Sequence, residues 1–156
     1  MAADVAAAIV VESGASIRNL ARQEAEALLL DEDAAWLLAH QNLTRELNVG
    51  HIPIKIMNYE SGGHAALVGP HWAASAVVTL SGAMDWLEAE LSAKDLVAVV
   101  VNRDALFVYA SSAPQDVIEG GRKFLVEAHA TAQKPLGPAL LSYRDGALTP
   151  ILRDEN

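Results

Sequence analysis

The sequence predicts an α+β fold, a mostly antiparallel sheet with helices packed on it, and three observations carry this. Apolar runs of strand length come in pairs joined by short turns: "SGGH" (61–64), "NRD" (102–104) and "DG" (145–146). Between the pairs lie longer segments with apolar residues at three- to four-residue spacing. No β-helix-β unit carries a glycine-rich phosphate loop, so a doubly wound parallel sheet is not indicated.

The elements follow in order. "DVAAAIVVES" (4–13) reads as a strand on the β-branched content of Val5, Ile9, Val10 and Val11. "SIRNLARQEAEALLL" (16–30) reads as a helix opening at Ser16, with Leu20, Ala21, Glu24 and Leu28 at helical spacing. A stronger helix occupies 30–48: Asp31 caps it, acids fill its first turn, and Trp36, Ala39, His40, Leu43 and Leu47 form one stripe. Asn48 and Gly50 supply the stop. "HIPIKIMNYE" (51–60) alternates, with Ile52, Ile54 and Ile56 on one face, and Pro53 marks it as an edge or near-edge strand. After the 61–64 turn, "AALV" (65–68) is the return strand.

Residues 69–93 read as one long helix, with Pro70 in its first turn and Ala73, Val77, Leu80, Met84, Leu87 and Leu91 at helical spacing. "DLVAVVV" (95–101) and "ALFVYAS" (105–111) are two strands around Asn102–Asp104. A helix over 112–133 is expected to be capped by Ser112 with Pro114 in its first turn. Its Gly120–Gly121 pair costs about 1 kcal/mol per glycine in helix propensity, which points to a close contact there. "GPALLSYRDGALTPIL" (137–152) closes as a hairpin on Asp145–Gly146, and the tail "RDEN" is expected to fray. The order is β-α-α-β-β-α-β-β-α-β-β in a single domain over 1–156.

The 156 residues are 52% hydrophobic and 20% charged, a folded composition. At this length about 68–70% of the unfolded surface can be buried, enough for a core without staples. There is no cysteine, so disulfides and thiolate metal sites are excluded and a cytoplasmic location is the natural expectation. The net charge of −9, with 11 scattered Lys and Arg, argues against nucleic acid and anionic membrane as partners. The apolar start of the chain lacks a basic n-region, which argues against secretion. The longest stretch without Asp, Glu, Lys or Arg, Ser61 to Met84, holds His64, Pro70, His71 and four glycines, too broken to span a bilayer.

Signals for chemistry are sparse. None of His40, His51, His64, His71 and His129 has a partner at metal-ligand spacing; His64 and His71, either side of "ALVGP", are the weak metal candidates. Ser61, Ser75, Ser81 and Ser111 offer hydroxyls without a nucleophile elbow, and "ESGGH" (60–64) is better explained as a turn. Asn102 and Asp104 are ordinary turn residues. Arg144–Asp145 repeats Arg103–Asp104; a structural turn is the favoured reading of both, and the alternative is that together they mark one end of the sheet as a shared surface.

Three stretches, "SIRNLARQEAEALLLDEDAAWLLAHQNL" (16–43), "GGHAALVG" (62–69) and "DLVAVVVNRDALFVYAS" (95–111), resemble the YtpQ-like family of uncharacterised bacterial proteins. The shared features are Ala39, Asn42 and Leu43 at a helix end, a Gly-Gly turn before a small-residue helix, and Arg103–Asp104 in an apolar strand pair. Where the family carries a proline and a small hydroxyl residue before Arg-Asp, this chain has Val101 and Asn102, and family members extend further ahead of the matched part. The resemblance implies a fold and a bacterial cytoplasmic origin, but no reaction.

The leading expectation is a non-catalytic module that binds a protein partner or self-associates, pairing or covering open sheet edges as a homodimer, with no cofactor. The enzymatic alternative is a hydrolase or metal-dependent site at Glu60, His64, His71, Arg103 and Asp104, which requires these side chains to converge. A third reading is an immunity- or chaperone-like partner of a basic protein.

Overall fold

Val97, Val99 and Val101 face one way and Leu96, Ala98 and Val100 the other, yet all six are buried. The strand they form therefore has helices on both sides, which is why it reads as an unbroken apolar run and not as an alternating one. The computed structural model describes residues 8–13, 16–132 and 139–151. In chain order the elements are β1 (Val10–Ser13), β2 (Ser16–Asn19), α1 (Arg22–Ala27), α2 (Glu32–Asn48), β3 (Ile54–Asn58) and β4 (His64–Val68). A 3-10 segment (Ala74–Thr79) precedes α3 (Ser81–Glu90), β5 (Asp95–Val100), β6 (Leu106–Ala110), α4 (Gln115–Thr131), β7 (Ala139–Arg144) and β8 (Ala147–Pro150).

The fold is α+β, as expected. Strands β3 to β8 form an open six-stranded sheet in the order β3-β4-β6-β5-β7-β8, with every pairing antiparallel. On one face the 3-10 segment, α3 and the Leu43–Leu47 side of α2 close over Ala66, Val68, Leu96, Val108, Leu141 and their neighbours. On the other face α4 packs Val117, Ile118, Phe124 and Leu125 against Ala65, Val97, Phe107 and Tyr109. Phe107 stacks on Phe124 with ring centroids 5.5 Å apart.

Several local readings hold. Asp31 caps α2, its Oδ1 accepting from the Ala34 N–H at 2.8 Å. Asp145 and Gly146, at φ 51° and 76°, make the two-residue turn of the last hairpin. The glycine pair in α4 marks a close approach: a Cβ at Gly120 would collide with the Tyr59 hydroxyl, and one at Gly121 would lie 3.0 Å from the Tyr109 ring.

Others need correction. Residues 16–30 are not one helix: Ser16–Asn19 pairs with β1 as a separate two-stranded sheet, and only Arg22–Ala27 is helical. The expected helix over 69–93 breaks at Leu80, whose ψ of 102° is extended. Val77, Val78 and Thr79 are a β-branched run that disfavours an α-helix, and the Ser75 N–H is drawn off to the Arg103 carbonyl at 3.1 Å. Pro70 follows a cis bond in the preceding loop, not a helix turn. Helix α4 begins at Gln115 after Pro114 and takes no side-chain cap from Ser112. The first part of the 4–13 strand, residues 4–7, and the tail "RDEN" lie outside the described residues.

Candidate functional site

The five residues of the enzymatic alternative do not converge. His64 opens β4 opposite Asn58, and its ring Nδ1 lies 2.8 Å from the Asn58 side-chain oxygen. Asp104 precedes Leu106, which pairs with Val68 at the other end of β4. At 3.3 Å per strand residue the two ends are about 13 Å apart. Glu60 stays exposed on the His64 side. His71 joins the Arg103–Asp104 end, but through the backbone: its N–H donates to the Asp104 carbonyl at 3.0 Å. His64 and His71 therefore cannot share an ion. Among the described residues no three His, Asp or Glu side chains are grouped to hold a metal.

Both predicted turns are accounted for structurally. The Asn102 side-chain oxygen accepts from the Asp104 and Ala105 N–H groups, each at 3.0 Å. Arg103 and Asp104 reach only 3.8 Å from one another in solvent, a contact worth little. In the 59–63 turn, Asp116 at the start of α4 accepts from the Ser61 hydroxyl at 2.7 Å and from its N–H at 3.2 Å. The hydroxyl bond, above all, holds the Asp116 carboxyl below the usual carboxylate range.

The two Arg-Asp turns lie at opposite ends of the sheet, so the alternative of one shared surface fails and the turn reading stands. Arg103 follows the C-terminal end of β5, whereas Arg144 pairs with Asp95 at its start, with bonds of 2.9 and 3.0 Å. Strand β5 runs between β6 and β7, so the turns after β5 and β7 point in opposite directions.

Two features were not read from the sequence. An open cleft of about 880 Å³ lies between the end of α2, the start of α3 and the start of β3, where His40, Thr44, Asn48, Thr79, Ser81 and Trp86 stand among apolar residues. The His40 Nε2 is 3.4 Å from the Thr79 hydroxyl, which itself donates to the Ala76 carbonyl. Among the described residues no carboxylate lines the cleft.

The second feature is the elbow joining α1 to α2. Helix α1 buries none of its residues. It ends in a Schellman motif: the Leu29 N–H donates to the Glu26 carbonyl, and the Leu30 N–H reaches back to Ala25 at 2.9 Å. The residue after the cap must then adopt a left-handed backbone, and here it is Leu29, at φ 56°. The chain ends α2 and α3 in the same way, with Gly50 and Ser92 in that place. Leu29 is 93% exposed, Leu28 65%, Leu37 61% and Leu38 44%. Around them, Glu24 is held by Arg18 through paired hydrogen bonds, which lower its pKa, and Asp31 is used as the α2 cap. Glu26, Glu32 and Asp33 remain exposed without an ion-pair partner among the described residues. The signal in the sequence was "LLLDED" (28–33), since three consecutive leucines cannot share one helix face.

Comparison with known proteins finds no matching family model, no similar curated protein and no similar solved structure.

Proposed function

We propose that the chain is a non-catalytic module of the cytoplasm that binds a protein partner on the α1–α2 elbow, the partner presenting apolar side chains within a basic rim. Leu29 carries the reading. A left-handed backbone favours glycine, and solvent favours a polar side chain, yet the position holds an almost fully exposed leucine. A residue that breaks two local rules at once without stabilising the fold is explained by a contact it makes elsewhere. Leu28, Leu37 and Leu38 are further exposed leucines of the 28–38 segment, and the exposed Glu26, Glu32 and Asp33 make its surroundings along the chain acidic. A basic partner also suits a chain of net charge −9. A place in the YtpQ-like family would agree with a bacterial cytoplasmic setting and would add no reaction.

The test uses a fluorescent synthetic amphipathic helix of leucine and lysine, titrated by anisotropy at moderate salt. A Leu29→Ser, Leu38→Ser variant is expected to bind it at least tenfold more weakly than the wild type. Val126→Ser, which removes a 65% exposed apolar residue from α4, is expected to bind like the wild type. Equal binding by all three proteins, or equal weakening by both variants, refutes a docking role for the elbow.

A further inference from the structure

The sheet has two edges, β3 and β8, and they differ in what they offer a further strand. In an antiparallel pair, residues alternate between those bonded to the partner strand and those whose N–H and C=O point away from it. For β3 the phase is set at both ends: the Tyr59 N–H bonds the Gly63 carbonyl, and the Gly69 N–H bonds the Pro53 carbonyl. Odd-numbered residues of β3 therefore face β4, and Ile54, Ile56 and Asn58 turn their backbone groups outward. No backbone partner for these outward groups occurs among the described residues. Pro53 lies in the inward phase, so its missing N–H takes nothing from the open edge.

The other edge is closed. The Ile151 N–H bonds the Leu140 carbonyl at 2.8 Å, which puts even-numbered residues of β8 on the outside. Pro150 is one of them, and it presents a ring where a new strand would need a donor.

We propose that two copies of the chain join antiparallel through β3, about a two-fold axis at Ile56, to make one continuous sheet. In that register Ile56 meets Ile56 of the second copy and Ile54 meets Asn58, each pair exchanging two backbone hydrogen bonds. Lys55, the sole charged residue in β3, faces Met57 and not another lysine, and no carboxylates are brought opposite one another. The register is thus compatible with a chain of net charge −9. Pro150 decides the kind of assembly. Pairing β3 with β8 of another copy would propagate an open filament, whereas β3 with β3 uses the same surface twice and closes. This proposal uses different residues from the elbow and stands or falls separately.

Sedimentation equilibrium from low to high micromolar concentration tests it on the whole chain. The wild type is expected to reach twice its 16.5 kDa mass. Asn58→Pro puts a ring on the open side without removing a β3–β4 backbone bond, although it gives up the Asn58–His64 side-chain contact, and is expected to raise the dissociation constant at least tenfold. Leu148→Pro, the equivalent change on β8, is expected to leave it unchanged. A second readout serves if Asn58→Pro does not fold: the chain has no cysteine, so a nitroxide on Lys55→Cys is unique. Dipolar broadening of that label, absent for one on Leu148→Cys, supports the register. A wild type that stays monomeric at high micromolar concentration, a folded Asn58→Pro that dimerises like the wild type, or an unbroadened Lys55→Cys label each overturns it.

Discussion

Replacing Leu29 with glycine should make the protein more stable, although it deletes the side chain of a large apolar residue. At φ 56° a Cβ costs about 1–2 kcal/mol in the left-handed region, and glycine carries no such cost. Against this, glycine gives the unfolded chain more freedom, a loss of about 0.5–1 kcal/mol. The leucine side chain is 93% exposed, so almost no burial is forfeited. The net expectation is a gain of about 0.5–1 kcal/mol, or about 1–3 °C in Tm for a chain of this size. Gly50 provides the mirror experiment. It occupies the same place in the α2 motif at φ 80°, and an added Cβ would meet nothing within 4 Å. Gly50→Ala should therefore cost about the same amount with the sign reversed. Urea unfolding followed by circular dichroism, with the m-value unchanged, measures both. If Leu29→Gly lowers stability, the leucine is packed in the free protein and the argument for an outside partner fails.

Two further outcomes follow from the packing. The buried Tyr143 hydroxyl donates to an Asp85 carboxylate oxygen at 2.6 Å, and that bond, with burial second, pushes the Tyr143 pKa up to about 12. Tyr143→Phe should cost about 1.5–3 kcal/mol near neutral pH. The unfolded tyrosine ionises near 10, so the wild type should lose stability from about pH 10 towards 12, and the variant less steeply over that window. Gly120→Ala drives a methyl into the Tyr59 hydroxyl and should destabilise by about 1 kcal/mol after the helix-propensity gain, a loss that Tyr59→Leu should relieve. Thermal melts of the two single variants and the double variant test this, and additive effects would show that the two residues do not meet.

What was legible in the sequence was what neighbouring residues decide among themselves. The Asp31 cap, the Asp145–Gly146 turn and the alternation of Ile54 and Ile56 depend on spacings of a few residues, and all three hold. What was not legible depended on distant partners. The helical spacing of 69–93 is real, but the Ser75 N–H goes to Arg103, a bond no local pattern announces. Ile17 pairs with Glu12 in a hairpin, although the residues after it have helix-forming character. The convergence of Glu60, His64, His71, Arg103 and Asp104 required a strand order. Similar turn sequences do not tell which end of a sheet they occupy. The Leu29 elbow was visible as a run of leucines, but its exposure became apparent only when the helix was seen to end before it.

Helices on both faces of β5 and β6 also bear on how this sequence can change over time. In a sheet wet on one side, every second residue of a strand is free to vary in polarity. Leu96 to Val101 and Leu106 to Tyr109 have no such free positions, since both parities are enclosed. Drift in these strands is confined to exchanges among apolar side chains of similar volume, and even those must suit two different helical layers. The latitude lies instead in the outer strands and in β1, β2 and α1, so the parts of this protein best able to acquire new contacts are those its core constrains least.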